Sequence, residues 1–184
     1  MIHGLQDQEG GSLLGIFPRG LPSEVRVKME NVPITKEGYD RLYEELERLR
    51  TVELQKNAGQ IQKAREFGDI SENSEYSAAK EQQAFLNGRI MKLQEMLSTV
   101  TIVPTENLPK DRVVFGSKVK VEDLDTGKVG VYQLVGPYES APEKGLLSVT
   151  SPIGRALIGR EPGEVVELKT PSGTKELEIL EILP

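Results

Sequence analysis

Two acidic residues, Asp69 and Glu72, have the type and spacing that could most readily do chemistry in this sequence. The chain has no Cys, which excludes disulfides, thiolate nucleophiles and zinc–thiolate sites. Its single His is His3, so histidine-based acid–base or metal chemistry has almost no basis. Any chemistry must therefore use carboxylates, amines, hydroxyls or backbone groups.

The spacing of these two residues also has a purely structural interpretation. In a capping box, a side chain before the first helical turn accepts a backbone N–H bond, and an acidic residue three positions later stabilises the helix start. Asp69 and Glu72 fit this pattern, and Gly68 suits the left-handed end of a preceding helix. Because Asp-x-x-Glu is common before apolar helices, spacing alone favours capping over catalysis.

Two amphipathic helices must position this segment. Thr35 is a suitable N-cap, and the first helix is predicted to continue to about Phe67. Its apolar period stumbles near Glu53, which predicts a change in the stripe that faces inward. The predicted inward residues are Tyr39, Leu42, Leu46 and Leu49 before the stumble, and Leu54, Ala58 and Ile61 after it.

The second helix has a more regular stripe, in which apolar residues alternate at steps of three and four. The stripe consists of Tyr76, Ala79, Gln83, Leu86, Ile90, Leu93 and Leu97. Because few residues join the helices around Gly68, we expect an antiparallel coiled coil with Asp69 at its tip. At about 1.5 Å per residue, about 30 residues give a rod of about 45 Å.

Short β-branched runs separated by turn signals follow the helices. They predict strands near residues 119–121, 129–131 and 146–149, a short helix over 156–158, and a final hairpin from 164–169 and 175–182. The sequence therefore predicts an α+β protein, with an N-terminal antiparallel helical hairpin followed by a small β-rich domain that contains one short helix.

Turn and linker signals divide the chain into four parts. We predict a flexible N-terminal extension over 1–30, a coiled-coil domain over 31–103 with its acidic tip near 68–75, a linker over 104–112, and a C-terminal domain over 113–184. The alternative for the first part is an over-long translation start, with Met29 as the functional one.

Composition and charge restrict the partners. With 37% hydrophobic and 28% charged residues, the chain is expected to be folded, and its formal net charge of -6 argues against broad attraction to nucleic acid. No apolar run approaches the length needed to cross a bilayer, and no secretory signal opens the chain. We therefore expect a cytoplasmic protein with no membrane partner.

Several motifs resemble the Gre family of bacterial transcript-cleavage factors. The first is the tip segment Gly68-Asp69-Ile70-Ser71-Glu72-Asn73, followed by Glu75-Tyr76 and by Ala-Ala-Lys-Glu-Gln-Gln at 78–83. The others are Pro33-Ile34-Thr35, Val114-Phe115-Gly116, and Ser-Pro-Ile-Gly-Arg-Ala-Leu-Ile-Gly at 151–159. The likeness runs from about Met29 to Leu183, in the same order as in the family, and leaves out only the first 28 or so residues.

This resemblance implies an accessory transcription factor, not an enzyme in its own right. The coiled coil would enter the secondary channel of a backtracked RNA polymerase and stimulate the polymerase's own cleavage of the extruded RNA 3′ end. Asp69 and Glu72 would help to hold a second Mg²⁺ and to orient the attacking water, the first metal belonging to the polymerase. We expect the free protein to be monomeric. We also expect it to bind no metal, because two exposed carboxylates are poor ligands alone.

The resemblance also suggests contacts with RNA and with the polymerase rim. Arg65 and Lys80 match positions that the family uses to meet extruded RNA, and Asn73 and Ser74 could donate hydrogen bonds to the water or a phosphate. The alternative for the two basic residues is surface pairing with Glu66 or Glu81 neighbours.

The family's C-terminal domain resembles the FKBP fold and docks on the rim of the channel. Residues 151–159 and the exposed strand edges are candidates for that contact, unless they merely cover the sheet.

Two other functions are compatible with the sequence. A Gre-like inhibitor could occupy the same channel and block it, although its tip would be expected to differ from Asp69 and Glu72. A coiled-coil adaptor with a β-rich interaction domain would use neither carboxylate for chemistry.

Overall fold

The computed structural model describes residues 32–66, 74–170 and 173–184. Its first part consists of strand β1 (Val32–Ile34), helix α1 (Lys36–Arg48), a π-helical segment (Leu49–Glu53), helix α2 (Leu54–Glu66), helix α3 (Ser74–Ser98) and strand β2 (Val100–Ile102). The second part consists of β3 (Lys118–Asp123), β4 (Lys128–Val135), two 3-10 turns (Pro137–Glu139 and Pro142–Lys144), β5 (Leu146–Ser148), α4 (Pro152–Leu157), β6 (Val165–Thr170) and β7 (Gly173–Leu183). The predicted α+β class is confirmed.

The π-helical segment lies where the sequence period stumbles. A π-turn inserts an extra residue into a helix, so the residues after it rotate relative to those before it. Leu46 and Leu49 are buried as predicted, but Ala58 is exposed and Asn57 is buried in its place. The predicted change of stripe is therefore confirmed, whereas the inward position of Ala58 is wrong, because the rotation brings its neighbour to the interface.

Helix α3 packs antiparallel against α1 and α2. Its buried residues Ala79, Leu86, Ile90 and Leu93 all belong to the predicted stripe. Cross-helix contacts give the direction, because Glu45, Asn57 and Arg65 contact Arg89, Ala79 and Tyr76, respectively. Advancing along the first two helices thus means going back along α3, which confirms the antiparallel hairpin.

A short parallel strand pair closes the base of the hairpin. Strand β1 pairs with β2 in the register Val32 to Val100 and Ile34 to Ile102. Val103 then donates its backbone N–H to the Ile34 carbonyl at 2.9 Å. The sequence does not predict this pair, since each strand has only three residues and neither shows an alternating pattern of useful length.

The C-terminal part is a five-stranded sheet in the order β5-β4-β3-β7-β6. All its neighbouring strands are antiparallel except β4 and β5. The core includes the fully buried Phe115, Val119, Leu134, Leu157 and Ile179. All the predicted strands are present, and the predicted short helix is found slightly earlier, as α4, with Ser151 accepting the Gly154 N–H at 3.1 Å.

The β3–β4 turn contains a carboxylate whose ionisation supports the fold. Asp123 accepts hydrogen bonds from the Lys175 ammonium at 2.8 Å and from the Thr126 hydroxyl and N–H at 2.9 Å. These contacts, the Lys175 bond foremost, lower the pKa of Asp123 from 3.8 to about 2. A carboxylate with a depressed folded-state pKa stabilises the protein above its unfolded pKa, and this contribution disappears as pH falls through the folded value.

We therefore expect Asp123→Asn to reduce the free energy of unfolding at pH 6 and to have a smaller effect at pH 2. Urea unfolding at both pH values measures the difference between parent and variant. Glu143→Gln is the matched control, because Glu143 is an exposed carboxylate of the same sheet domain. A loss for Asp123→Asn that is equal at the two pH values would contradict the assigned role of the charge.

Within 32–66, 74–170 and 173–184, no helix is long and apolar enough to cross a membrane.

Candidate functional site

The predicted site lies where the two arms of the hairpin meet. Helix α2 ends at Glu66 and α3 begins at Ser74, so residues 67–73 join them at the end opposite the β1–β2 pair. Asp69, Glu72 and Asn73 lie outside the described residues. The structure therefore places the helix ends on which these side chains depend, and the roles assigned to the three residues stay predictions.

A contact between Arg65 and Tyr76 ties the two helix ends together. The guanidinium carbon of Arg65 lies 5.8 Å from the centroid of the Tyr76 ring, within the range of a cation–π interaction. Tyr76 is half-buried and Arg65 is exposed. The guanidinium therefore remains accessible to an anionic ligand while the ring holds its position.

The other described candidates for RNA contact share this end of the hairpin. Lys80 is exposed on α3, and its ammonium donates to the Gln83 side-chain oxygen at 2.7 Å. Ser74 is exposed at the first position of α3. In the part of the chain that the structure describes, neither Arg65 nor Lys80 pairs with a carboxylate. The alternative of surface pairing with Glu66 or Glu81 is thus not found there.

A buried polar residue lies near the start of helix α2. Asn57 is only 2% exposed. Its side-chain Nδ2 donates a hydrogen bond to the Ala79 carbonyl across the interface at 2.8 Å. Its Oδ1 has no hydrogen-bond partner among the described atoms. The apolar pattern of the sequence does not predict that Asn57 is buried, although the break in its period near Glu53 indicates that the stripe moves by one position.

A bidentate ion pair joins the helices in the half of the hairpin nearer its base. Arg89 on α3 donates to the two carboxylate oxygens of Glu45 on α1 at 2.8 and 2.9 Å. The hydrogen bond that Arg89 donates to the Glu45 carboxylate raises the pKa of Arg89, and the guanidinium is charged at any physiological pH. Because a bidentate pair constrains both distance and orientation, it holds the helices in one register.

The donor set at the tip suits a hard cation. Across the described ranges, no group of three or more His, Cys, Asp or Glu side chains could hold a metal ion. Asp69 and Glu72 offer only carboxylate oxygens, which Mg²⁺ prefers, and two such ligands leave most of its coordination to water or to another molecule. Such a donor set would suit a metal to which a partner also contributes ligands, and this role stays a prediction.

Comparison with known proteins identifies the class. Residues 32–102 match the family model described as "Transcription elongation factor, N-terminal", and residues 108–184 match "Transcription elongation factor, GreA/GreB, C-term". These matches cover most of the chain, including both helices that flank the tip. The chain belongs to the GreA/GreB family of transcription elongation factors.

Individual relatives agree with this family. The chain is 49% identical to the transcription elongation factor GreA of Syntrophobacter fumaroxidans over 154 residues, which cover 84% of this chain and 99% of that protein. It is 46% identical to GreA of Syntrophus aciditrophicus, with 84% and 96% covered. Among solved structures, the Gfh1 protein of Thermus thermophilus is 33% identical with a TM-score of 0.38, covering 84% and 99% of the two chains.

Proposed function

We propose that this elongation factor stimulates RNA polymerase to cleave backtracked RNA, by presenting Asp69 and Glu72 at the end of its helical hairpin. The observation that carries the proposal is the hairpin itself, whose two packed helices place Arg65, Ser74 and Lys80 in the turns nearest the end where the acidic segment joins them. The names of the GreA relatives support the same role in elongation.

The construction of the arm supports delivery into a narrow channel. Leu46, Leu49, Leu86, Ile90 and Leu93 form its apolar core, and the Glu45–Arg89 pair lies beside them. An arm with buried leucine layers resists bending, so its end stays at a defined distance from its base. A polymerase partner would then receive the carboxylates at one depth.

The chemistry divides between the two proteins. A Mg²⁺ ion held jointly by the polymerase and the tip would supply charge stabilisation for the attacking and leaving oxygens of the phosphodiester. Asp69 and Glu72 would bind that ion from one side, and a free carboxylate oxygen would orient the attacking water by accepting its hydrogen bond. The factor by itself would cut nothing, because it lacks the remaining ligands.

The basic and hydroxyl side chains at the tip would bind the nascent RNA 3′ end. Arg65 and Lys80 are exposed, positively charged side chains on the two opposing helices. Their charge suits the phosphates of an extruded strand. Asn73 and Ser74 would donate hydrogen bonds to a phosphate or to the water. With few basic residues there, the attraction is local, in keeping with the net charge of -6.

The C-terminal domain would dock on the rim of the channel through residues 151–159. Leu157 and Gly154 of this stretch are buried against the sheet, whereas Pro152, Arg155 and Gly159 are exposed. The stretch therefore covers the sheet with one side and leaves the other side accessible. We further infer that the free protein is a monomer and acts in the cytoplasm, where transcription takes place.

The test is to add purified protein to a backtracked elongation complex in Mg²⁺ and to measure the length of the released RNA. We expect shortened transcripts that resume elongation when nucleotides are added, and no cleavage of the same RNA without polymerase. Blocked elongation without cleavage would instead indicate a channel inhibitor. Absence of any effect on the complex would indicate an adaptor.

A further inference from the structure

The start of helix α1 is capped by a residue of the C-terminal domain. From this geometry we infer that Glu139 is a positioning residue, which fixes the direction of the helical arm relative to the C-terminal domain. The inference rests on the proposed function in so far as the arm must be aimed at a polymerase, but the contact itself is independent of that function. None of the sequence motifs involves this residue.

Helix α1 has half of a capping box in its own sequence. Thr35 is the N-cap, and its hydroxyl oxygen accepts the Gly38 N–H at 3.0 Å. In a complete capping box, the third helical residue is acidic and accepts the N–H of the N-cap residue. That third residue is Gly38, which has no side chain, so the helix cannot supply the second half.

Glu139 supplies the missing half from a distance of 104 positions along the chain. Its Oε1 accepts the Thr35 N–H at 3.0 Å, and its Oε2 accepts a hydrogen bond from the Thr35 hydroxyl. The positive end of the helix dipole lies at the same place, which favours a carboxylate there. The hydroxyl of Thr35 thus accepts a hydrogen bond from helix α1 and donates one to the other domain.

The same carboxylate caps its own turn. Oε1 of Glu139 also accepts the Gly136 N–H at 3.0 Å, which closes the first 3-10 turn after β4. The Glu139 side chain is only 1% exposed, with Arg41 Nη2 3.9 Å from Oε2. One buried carboxylate therefore caps backbone structure in both domains at once, and the cap of helix α1 is complete only when the domains are in contact.

Two glycines make room for this contact. A Cβ atom on Gly38 would lie 2.0 Å from Glu139 Oε2, and a Cβ on Gly136 would lie 2.0 Å from the Pro33 carbonyl oxygen. Neither glycine has a positive φ, so close approach explains them better than backbone conformation does. This packing of the two domains therefore requires that both positions lack side chains.

Small changes at this base have large effects at the tip. For a rod of about 45 Å, a tilt of about 10° moves the far end by about 8 Å. Catalytic groups that are misplaced by about 1 Å can lose about 100-fold in rate. A buried carboxylate that loses its hydrogen-bond donors is strongly unfavourable. Because tilting the arm would remove the Thr35 donors from Glu139, the contact restricts the arm to one direction.

The experiment separates capping from positioning by the substitution Gly38→Glu. A glutamate at this position completes the capping box within the helix and displaces Glu139 by steric overlap. Gly88→Glu is the matched control, because it is the same substitution on the arm at a glycine with open space around it. Because the chain has no Cys, Glu81→Cys and Lys128→Cys at exposed positions allow spin labels on the arm and on the sheet domain.

We expect one narrow interdomain distance by pulsed EPR in the parent and in Gly88→Glu, and a broad distribution in Gly38→Glu with unchanged helix content by circular dichroism. In unlabelled protein, Gly38→Glu should lower the maximal cleavage rate about tenfold or more. Glu139→Gln adds no bulk and keeps one oxygen acceptor, so its distance distribution and rate should be intermediate. It replaces Gly38→Glu as the test if that variant does not fold.

A narrow distribution in the displaced variant, or a broad one in the parent, would overturn the inference. Broadening without any change in cleavage would overturn the positioning role and leave the proposed function standing. If the parent itself stimulates no cleavage, the proposed function fails, and the EPR distances still decide whether Glu139 holds the arm.

Discussion

Asp69→Asn should abolish most of the stimulated RNA cleavage while changing the free energy of unfolding by no more than about 1 kcal/mol. The substitution keeps the shape of the side chain and removes its negative charge, so the proposed Mg²⁺ site would lose a ligand. Removing one well-placed electrostatic contact from a reacting centre typically costs about 100-fold in rate. The expected loss is of that size, and Glu72→Gln should act in the same direction.

Three measurements on the same preparations test this result. Cleavage rates are compared at saturating factor, competition with the parent gives the affinity for polymerase, and urea unfolding gives stability. Glu81→Gln is the control, since it removes an exposed carboxylate a short distance along α3. We expect unchanged affinity for the polymerase and partial recovery at high Mg²⁺. Normal cleavage by Asp69→Asn at ordinary Mg²⁺ would show that the tip carboxylates are only helix caps.

Periodic patterns made the helices and strands predictable. The stripe from Ala79 to Leu93 repeats at steps of three and four, which is typical of a helix that buries one face against the rest of the protein. The short runs around Val119 and Val131 alternate, and they pair directly in the sheet. Both patterns are local, so they can be recognised without knowledge of the rest of the fold.

The features that the sequence did not reveal depend on contacts between distant residues. The β1–β2 pair joins segments on either side of the whole hairpin, and each strand is too short for its own pattern to show. Glutamate is a residue type that usually lies at the protein surface, and only the fold brings Glu139 to Thr35. Nothing in the local sequence distinguishes a glutamate in water from one that caps a distant helix.

The candidate site was only partly accessible to sequence reasoning. The spacing of Asp69 and Glu72 fits a capping box as well as a metal ligand pair, and resemblance to the family separated the two. The described structure adds that Arg65 and Tyr76 bring the helix ends together. The roles of the two carboxylates depend on a partner, and a partner's ligands cannot be inferred from one chain.

The arm should become more stable when its buried polar residue is replaced by an apolar one. We expect Asn57→Leu to raise the free energy of unfolding by about 1–3 kcal/mol, which is the usual cost of a buried acceptor without a partner. Leu has the same branching at Cγ as Asn, so its shape is similar. The Ala79 carbonyl that loses the Asn57 contact keeps its own hydrogen bond within α3.

Urea unfolding of Asn57→Leu and of Asn87→Leu measures this effect. Asn87 is exposed on α3, so the control makes the same substitution without burial and should change stability by no more than about 0.5 kcal/mol. A lower stability for Asn57→Leu would mean that the buried amide is a favourable contact. The reason to keep a costly Asn is register, because a single polar layer favours one alignment where an all-apolar stripe permits several. For an arm that is proposed to reach one depth in RNA polymerase, a slip of one heptad would misplace the tip by about 10 Å.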